Sequence, residues 1–118
     1  MRLQHVTVAI PLDGAETARA FYGDLLGLVE KPVLPKLDPA SFIWYAAGGD
    51  NELHLQLTSE PPPDKPHFCL AVDDLGELRE RLEAGGVETD DPTPLEGRPR
   101  FMCRDPFGNR IELTHLGS

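Results

Sequence analysis

The chain repeats itself, and an internal repeat restricts the folds open to 118 residues more than any other feature they carry. His5-Val-Thr-Val-Ala-Ile near the N-terminus is answered by His67-Phe-Cys-Leu-Ala-Val in the middle. Asn51-Glu-Leu-His-Leu-Gln-Leu is answered by Asn109-Arg-Ile-Glu-Leu-Thr-His, and Gly27-Leu-Val-Glu by Gly85-Gly-Val-Glu. Gly27 to His54 and Gly85 to Glu112 are both intervals of 27 residues. The copies differ earlier: His5 to Gly27 is 22 residues and His67 to Gly85 is 18. One supersecondary unit used twice explains the pattern. Half a chain of this size buries too little surface to be stable alone, so the copies are expected to share one domain. That domain is residues 1–118, with module one at 1–58, a linker at 59–66 and module two at 67–118.

Local patterns give each module the order β-α-β-β-β. Gln4 to Ile10 alternates and is rich in β-branched residues, which predicts a strand. Asp13 with Glu16 three residues on has the form of a capping box opening a helix over Ala15–Leu26. Ala18, Phe21, Tyr22, Leu25 and Leu26 recur at helical spacing, and Gly27 suits the stop. Strands follow at Leu28–Leu34, Ser41–Ala46 and Glu52–Leu57. The prolines at 61, 62, 63 and 66 make a stiff connection. The second copy then gives a strand at His67–Val72, a helix over Leu75–Ala84 behind Asp73-Asp74, and strands near Glu88, at Arg100–Arg104 and at Arg110–His115. Asp105-Pro-Phe-Gly-Asn109 is a turn joining the last two.

Side chains alternate across a strand, so parity sorts the faces. Val6, Val8 and Ile10 oppose His5, Thr7 and Ala9; Leu53, Leu55 and Leu57 oppose Glu52, His54 and Gln56. Phe68, Leu70 and Val72 oppose His67, Cys69 and Ala71; Ile111 and Leu113 oppose Arg110, Glu112 and Thr114. The apolar faces call for the helices. The other faces, small or polar with one strong ligand each, suit the lining of a cleft. His5, His54, His67 and Glu112 thus fall at repeat-equivalent places on matched faces. Three imidazoles and a carboxylate suit one divalent ion of borderline softness: Zn, Ni, Co, Fe(II) or Mn. Thr7, Gln56, Cys69 and Arg110 share those faces and are candidate substrate-lining residues. His115 has the opposite parity and is expected to be structural.

Net charge sets the exclusions. At −9 the chain lacks the basic footprint that nucleic acid or an anionic membrane demands. No apolar run approaches the ~18 residues of a membrane span, and no signal-peptide core follows Met1-Arg2. A cytoplasmic protein is expected. Cys69 and Cys103 make no disulfide scaffold and are expected to be reduced thiols.

The paired β-α-β-β-β order, the N-terminal strand His, the His67 strand followed by a helix, and Asp-Pro-x-Gly-Asn-x-Ile-Glu-Leu together resemble the vicinal oxygen chelate superfamily. It contains glyoxalase I, bleomycin-resistance proteins, fosfomycin-resistance enzymes, methylmalonyl-CoA epimerase and extradiol dioxygenases. The resemblance runs from Met1 to about His115. It implies an α+β fold of two tandem βαβββ modules, a curved mixed sheet around a metal cleft. It also implies metal ligands on the first, fourth, fifth and eighth strands, which here are His5, His54, His67 and Glu112, the set the repeat gives independently. The chain departs from bacterial glyoxalase I at the fourth strand, where that enzyme usually has Glu and this sequence has His54. Glu112 is then the carboxylate left to serve as base.

The resemblance accordingly implies a glyoxalase-type lyase or isomerase. Its small substrate would chelate the ion through neighbouring oxygens, with Glu112 catalytic and Arg110 placed to hold a substrate carboxylate. His5, His67 and Glu112 also match the facial triad of extradiol dioxygenases, which are mostly longer, two-domain chains. A third reading is a non-catalytic drug-binding protein of bleomycin-resistance type, with Phe42, Trp44 and Tyr45 as stacking walls and the acidic surface drawing a cation. The metal-ligand set counts against it, since those proteins lack it. Such proteins commonly pair as homodimers, and a homodimer is expected here. No glutathione-binding pattern is evident.

Overall fold

The computed structural model describes residues 1–116; the last two positions of the second module, 117 and 118, lie outside the described residues. The chain divides into two compact units, Met1–Pro62 and Pro63–Ser118.

The first unit runs β1 (His5–Ile10), α1 (Ala15–Ala18), a π-helical segment (Arg19–Leu25), β2 (Glu30–Lys31), β3 (Phe42–Ala46) and β4 (Glu52–Leu57). Its strands form one mixed sheet in the order β1-β4-β3-β2. β1 lies parallel to β4, with His5 opposite Glu52 and Thr7 opposite His54. β3 lies antiparallel to β4, placing Trp44 across from His54. The second unit runs β5 (His67–Ala71), α2 (Leu75–Ala84), β6 (Thr89–Asp90), β7 (Arg100–Arg104) and β8 (Arg110–Thr114). Its sheet has the equivalent order β5-β8-β7-β6, with β5 parallel to β8. Two tandem βαβββ modules in an α+β arrangement, as expected from the repeat, are therefore present.

The alternation sorts the core. In the first unit Ile10, Ile43, Tyr45, Leu53 and Leu55 are buried on one face of the sheet, and Ala18, Phe21 and Tyr22 are the buried helical residues. The Tyr22 and Tyr45 rings meet at 6.0 Å. In the second unit Phe101, Cys103, Ile111 and Leu113 are buried on the sheet, and Leu78 and Leu82 on α2. Burial of this kind contributes roughly 1.5–3 kcal/mol per large aliphatic side chain.

Three local expectations need correction. The helix over Ala15–Leu26 is α-helical for four residues and then widens to a π-helix, with the Leu26 amide donating to the Phe21 carbonyl five residues back. Gly23 sits in that stretch, where the missing Cβ weakens any α register. Asp13 does not cap α1. The cap position is Gly14, whose amide closes a turn onto the Pro11 carbonyl, and it makes no side-chain capping bond. β2 covers Glu30–Lys31 rather than Leu28–Leu34, because Pro32 directly after it has no N–H to give the ladder. The second helix keeps its expected start: the Asp74 carboxylate accepts from the Glu77 amide at 3.0 Å.

Candidate functional site

Each unit brings its own pair of expected ligands into contact on its polar sheet face. In the first unit, parallel pairing of β1 and β4 offsets His5 and His54 by two residues on the same face, and their rings stack at 4.2 Å between centroids. Trp44 stacks on the other side of His54 at 4.1 Å and nearly parallel. His54 and Trp44 are buried, while His5 is exposed. In the second unit, His67 Nε2 lies 3.3 Å from Glu112 Oε1. Glu112 is 7% exposed and His67 is open to solvent.

Hydrogen bonds fix which ring nitrogens carry protons. His67 Nδ1 faces the Lys65 carbonyl at 3.2 Å. A carbonyl can only accept, so Nδ1 holds a proton and Nε2 is the nitrogen turned toward Glu112. Nε2 faces the Glu112 carboxylate oxygen, and a proton or a metal cation between the two would satisfy both. The Gln4 side chain does the same service for His5. Its Nε2 donates to the Asp50 carbonyl at 2.7 Å, which turns Oε1 toward His5 Nδ1, also at 2.7 Å. His5 Nδ1 therefore carries a proton, and Nε2 is the nitrogen left for a ligand. In His54 the roles are reversed: Nε2 meets Glu52 Oε1 at 2.9 Å, so with Nε2 donating the basic nitrogen is Nδ1.

Glu52 and Arg100 are the contributions that sequence reading missed. Glu52 binds His54 with one oxygen and the Lys31 ammonium with the other. These two contacts, Lys31 first, hold its carboxyl down at about 2. The parity that selected His54 also selects Glu52, two residues earlier on the same face. Arg100 reaches Glu112 Oε1 with Nη1 at 3.3 Å and the Thr93 carbonyl with Nη2 at 2.7 Å. It comes from β7, opposite Thr114 in register, and no repeat partner marks it.

The remaining candidates fall as follows. Thr7 is the register partner of His54, and Cys69 that of Glu112. Gln56 lies opposite Ala9 and Phe42, and is exposed. Arg110 pairs in register with His67 and is half-buried, but the arginine in contact with Glu112 is Arg100. Desolvation, then the Glu112 carboxylate, pushes the Cys69 thiol up to about 11; burial pushes Cys103 up to about 12. Both are thiols at neutral pH. His115 ties its Nδ1 to the Val72 carbonyl at 3.0 Å, a structural role. Asp105 and Asn109 are buried in the turn before β8, where Asp105 Oδ1 accepts from the amides of Phe107 and Asn109 at 2.9 and 2.8 Å. Tyr45 belongs to the core, and Trp44 to the His54 stack. Among the described residues, no three His, Cys, Asp or Glu side chains gather into a group able to hold a metal ion. The ligand candidates stand as pairs.

A sequence model of the Glyoxalase/Bleomycin resistance protein/Dioxygenase superfamily matches residues 2–113. The chain belongs to this superfamily. Among solved structures, a protein from Bacillus anthracis described as glyoxalase-family is 33% identical, with a TM-score of 0.89 over 98% of this chain and 94% of that one. TnmS3, an antibiotic binding protein from Streptomyces sp. CB03234, is 25% identical, with a TM-score of 0.75 over 99% and 97%. Lactoylglutathione lyase from Agrobacterium tumefaciens is 24% identical, with a TM-score of 0.72 over 97% and 92%, a likeness of fold alone. No curated protein matches the chain. Proteins similar in fold thus include both a lyase and an antibiotic binder. No helix among the described residues is long and apolar enough to cross a membrane.

Proposed function

We propose that this superfamily member is a metal-dependent lyase or isomerase of glyoxalase type. It would act on a small substrate with neighbouring oxygens, as a cytoplasmic homodimer. The observation that carries the reading is the approach of His67 Nε2 to Glu112 Oε1 at 3.3 Å, two atoms able to ligate a metal, with Nδ1 tied to the Lys65 carbonyl from behind. His5, with its Nδ1 likewise tied back, fits the same donor chemistry. The reading takes His5, His54, His67 and Glu112 together as ligands of one divalent ion, Zn, Ni, Co, Fe(II) or Mn, an imidazole-rich set with one hard oxygen donor. Such an ion, when bound, supplies Lewis acidity that makes a C–H beside a carbonyl acidic.

The protein's own groups then handle the proton. Glu112 takes it as general base and returns it to the adjacent carbon. Arg100, with Nη1 at 3.3 Å from Oε1, orients the carboxylate. Thr7, Gln56, Cys69 and Arg110 border the polar faces on which the substrate would lie.

Metal analysis of protein purified without added metal tests the ligand set. Near one divalent ion per chain is expected, and its loss in a His5→Ala, Glu112→Ala double variant. Full occupancy in that variant would overturn the assignment. With a hemithioacetal as substrate, Glu112→Gln is expected to abolish turnover and leave substrate binding largely intact. The second reading, non-catalytic capture of a drug, is supported by the similarity to an antibiotic-binding protein. Tight ligand binding by metal-stripped protein would favour it.

A further inference from the structure

The second unit holds a cavity of about 440 Å³ at the start of β7, between the first turns of α2 and the loop that returns from β6. That volume is in the range of small-molecule sites. Its walls are mostly apolar: Leu75, Leu95 and Phe101 together with the prolines of the loop. Three guanidinium groups line it, Arg79, Arg98 and Arg100, against one carboxylate, Asp91. In a chain of net charge −9 this is a local inversion of sign.

The three arginines are not equivalent. Arg79 is already neutralised by Asp91 at 2.7 Å and lies over the Phe101 ring at 5.1 Å, so it forms part of the wall. Arg98 is exposed at the end of a turn closed by its own amide onto the Leu95 carbonyl, and no ion pair of its side chain occurs among the described residues. Arg100 is mostly buried, and its Nε is buried without a hydrogen-bond partner. Its Nη1 meets Glu112 and its Nη2 the Thr93 carbonyl, which leaves one N–H on each for a ligand oxygen. The first turn of α2, whose aligned peptide dipoles favour negative charge, closes the same side.

We propose that this cavity binds a small carboxylate with a flat apolar body, its anionic end held by Arg98 and Arg100 and its body against Phe101, Leu95 and the prolines. The site lies wholly within the second unit and needs no metal, and it shares Arg100 with the reaction proposed above.

The test uses the full chain without metal, titrated with benzoate, benzamide and acetate and followed by amide chemical shifts. Benzoate is expected to saturate one site, moving the amides of the Asp91–Arg100 loop. Benzamide, which lacks the charge, and acetate, which lacks the ring, are each expected to bind about tenfold more weakly. Arg98→Gln, a change at an exposed side chain, is expected to weaken benzoate by a similar factor. Leu95→Glu, which adds a negative charge to the wall, is expected to weaken it as well. Benzamide binding as tightly as benzoate, undiminished binding by both variants, or shifts confined to other parts of the chain would each overturn the proposal.

Discussion

A histidine becomes a ligand through the group behind it as much as through its position. Gln4 illustrates this: one amide clamps the Asp50 carbonyl and the His5 ring together, so His5 Nε2 is the nitrogen left for a ligand. Removing such an outer partner typically weakens a metal site by 10–100-fold. Gln4→Ala is therefore expected to lower affinity for a divalent ion by about tenfold or more, with little loss of stability because Gln4 is exposed. Competition with a chromophoric chelator measures it, and unchanged affinity would remove His5 from the ligand set. At this scale repetition and parity single out His5, His54, His67 and Glu112 in the sequence. It was silent about Arg100. That contact comes from antiparallel register between β7 and β8, and register depends on where a turn ends. It was misleading about Asp13, since a capping pattern one residue out of place is absorbed into the preceding turn.

Among the elements, β8 matters most, because it carries Glu112, and its alignment is set by the turn before it. Asp105 holds that turn from inside: its carboxylate collects the amides of Phe107 and Asn109 and the Asn109 side chain. Asp105→Ala would strand these buried donors at a cost of about 2–3 kcal/mol. A corresponding fall in the urea midpoint is expected, while Asp105→Asn, which still accepts, recovers part of it. An unchanged midpoint would show that the turn does not hold the strand. The turn was legible because Asp, Pro, Gly and Asn each have a distinct conformational reason to be there. The widening of the first helix was not. Apolar spacing marks which residues face the core, and Phe21 and Tyr22 do, but it does not distinguish one helical hydrogen-bond register from another.

For the whole molecule, the alkaline limit of stability is set in part by a core phenol. Tyr45 is buried and its hydroxyl has no partner among the described residues. Burial, with the Glu30 carboxylate second, pushes it from 10.0 up to about 12. The folded state thus favours the neutral phenol. The associated stability is complete below pH 10 and is lost as pH rises from about 10 to about 12. Tyr45→Phe is expected to flatten the decline in unfolding free energy across that window without much cost below it, since no hydrogen bond is lost. An identical slope in the variant would show that Tyr45 does not set it.

The matching frames of the two sheets have a stereochemical corollary. Where the first copy places an imidazole, His54, the second places a carboxylate, Glu112. In the proposed reaction a proton is accepted and given back by one group, so it approaches the planar carbon from one side. A duplicated scaffold carrying a single base would then yield one mirror-image form of its product.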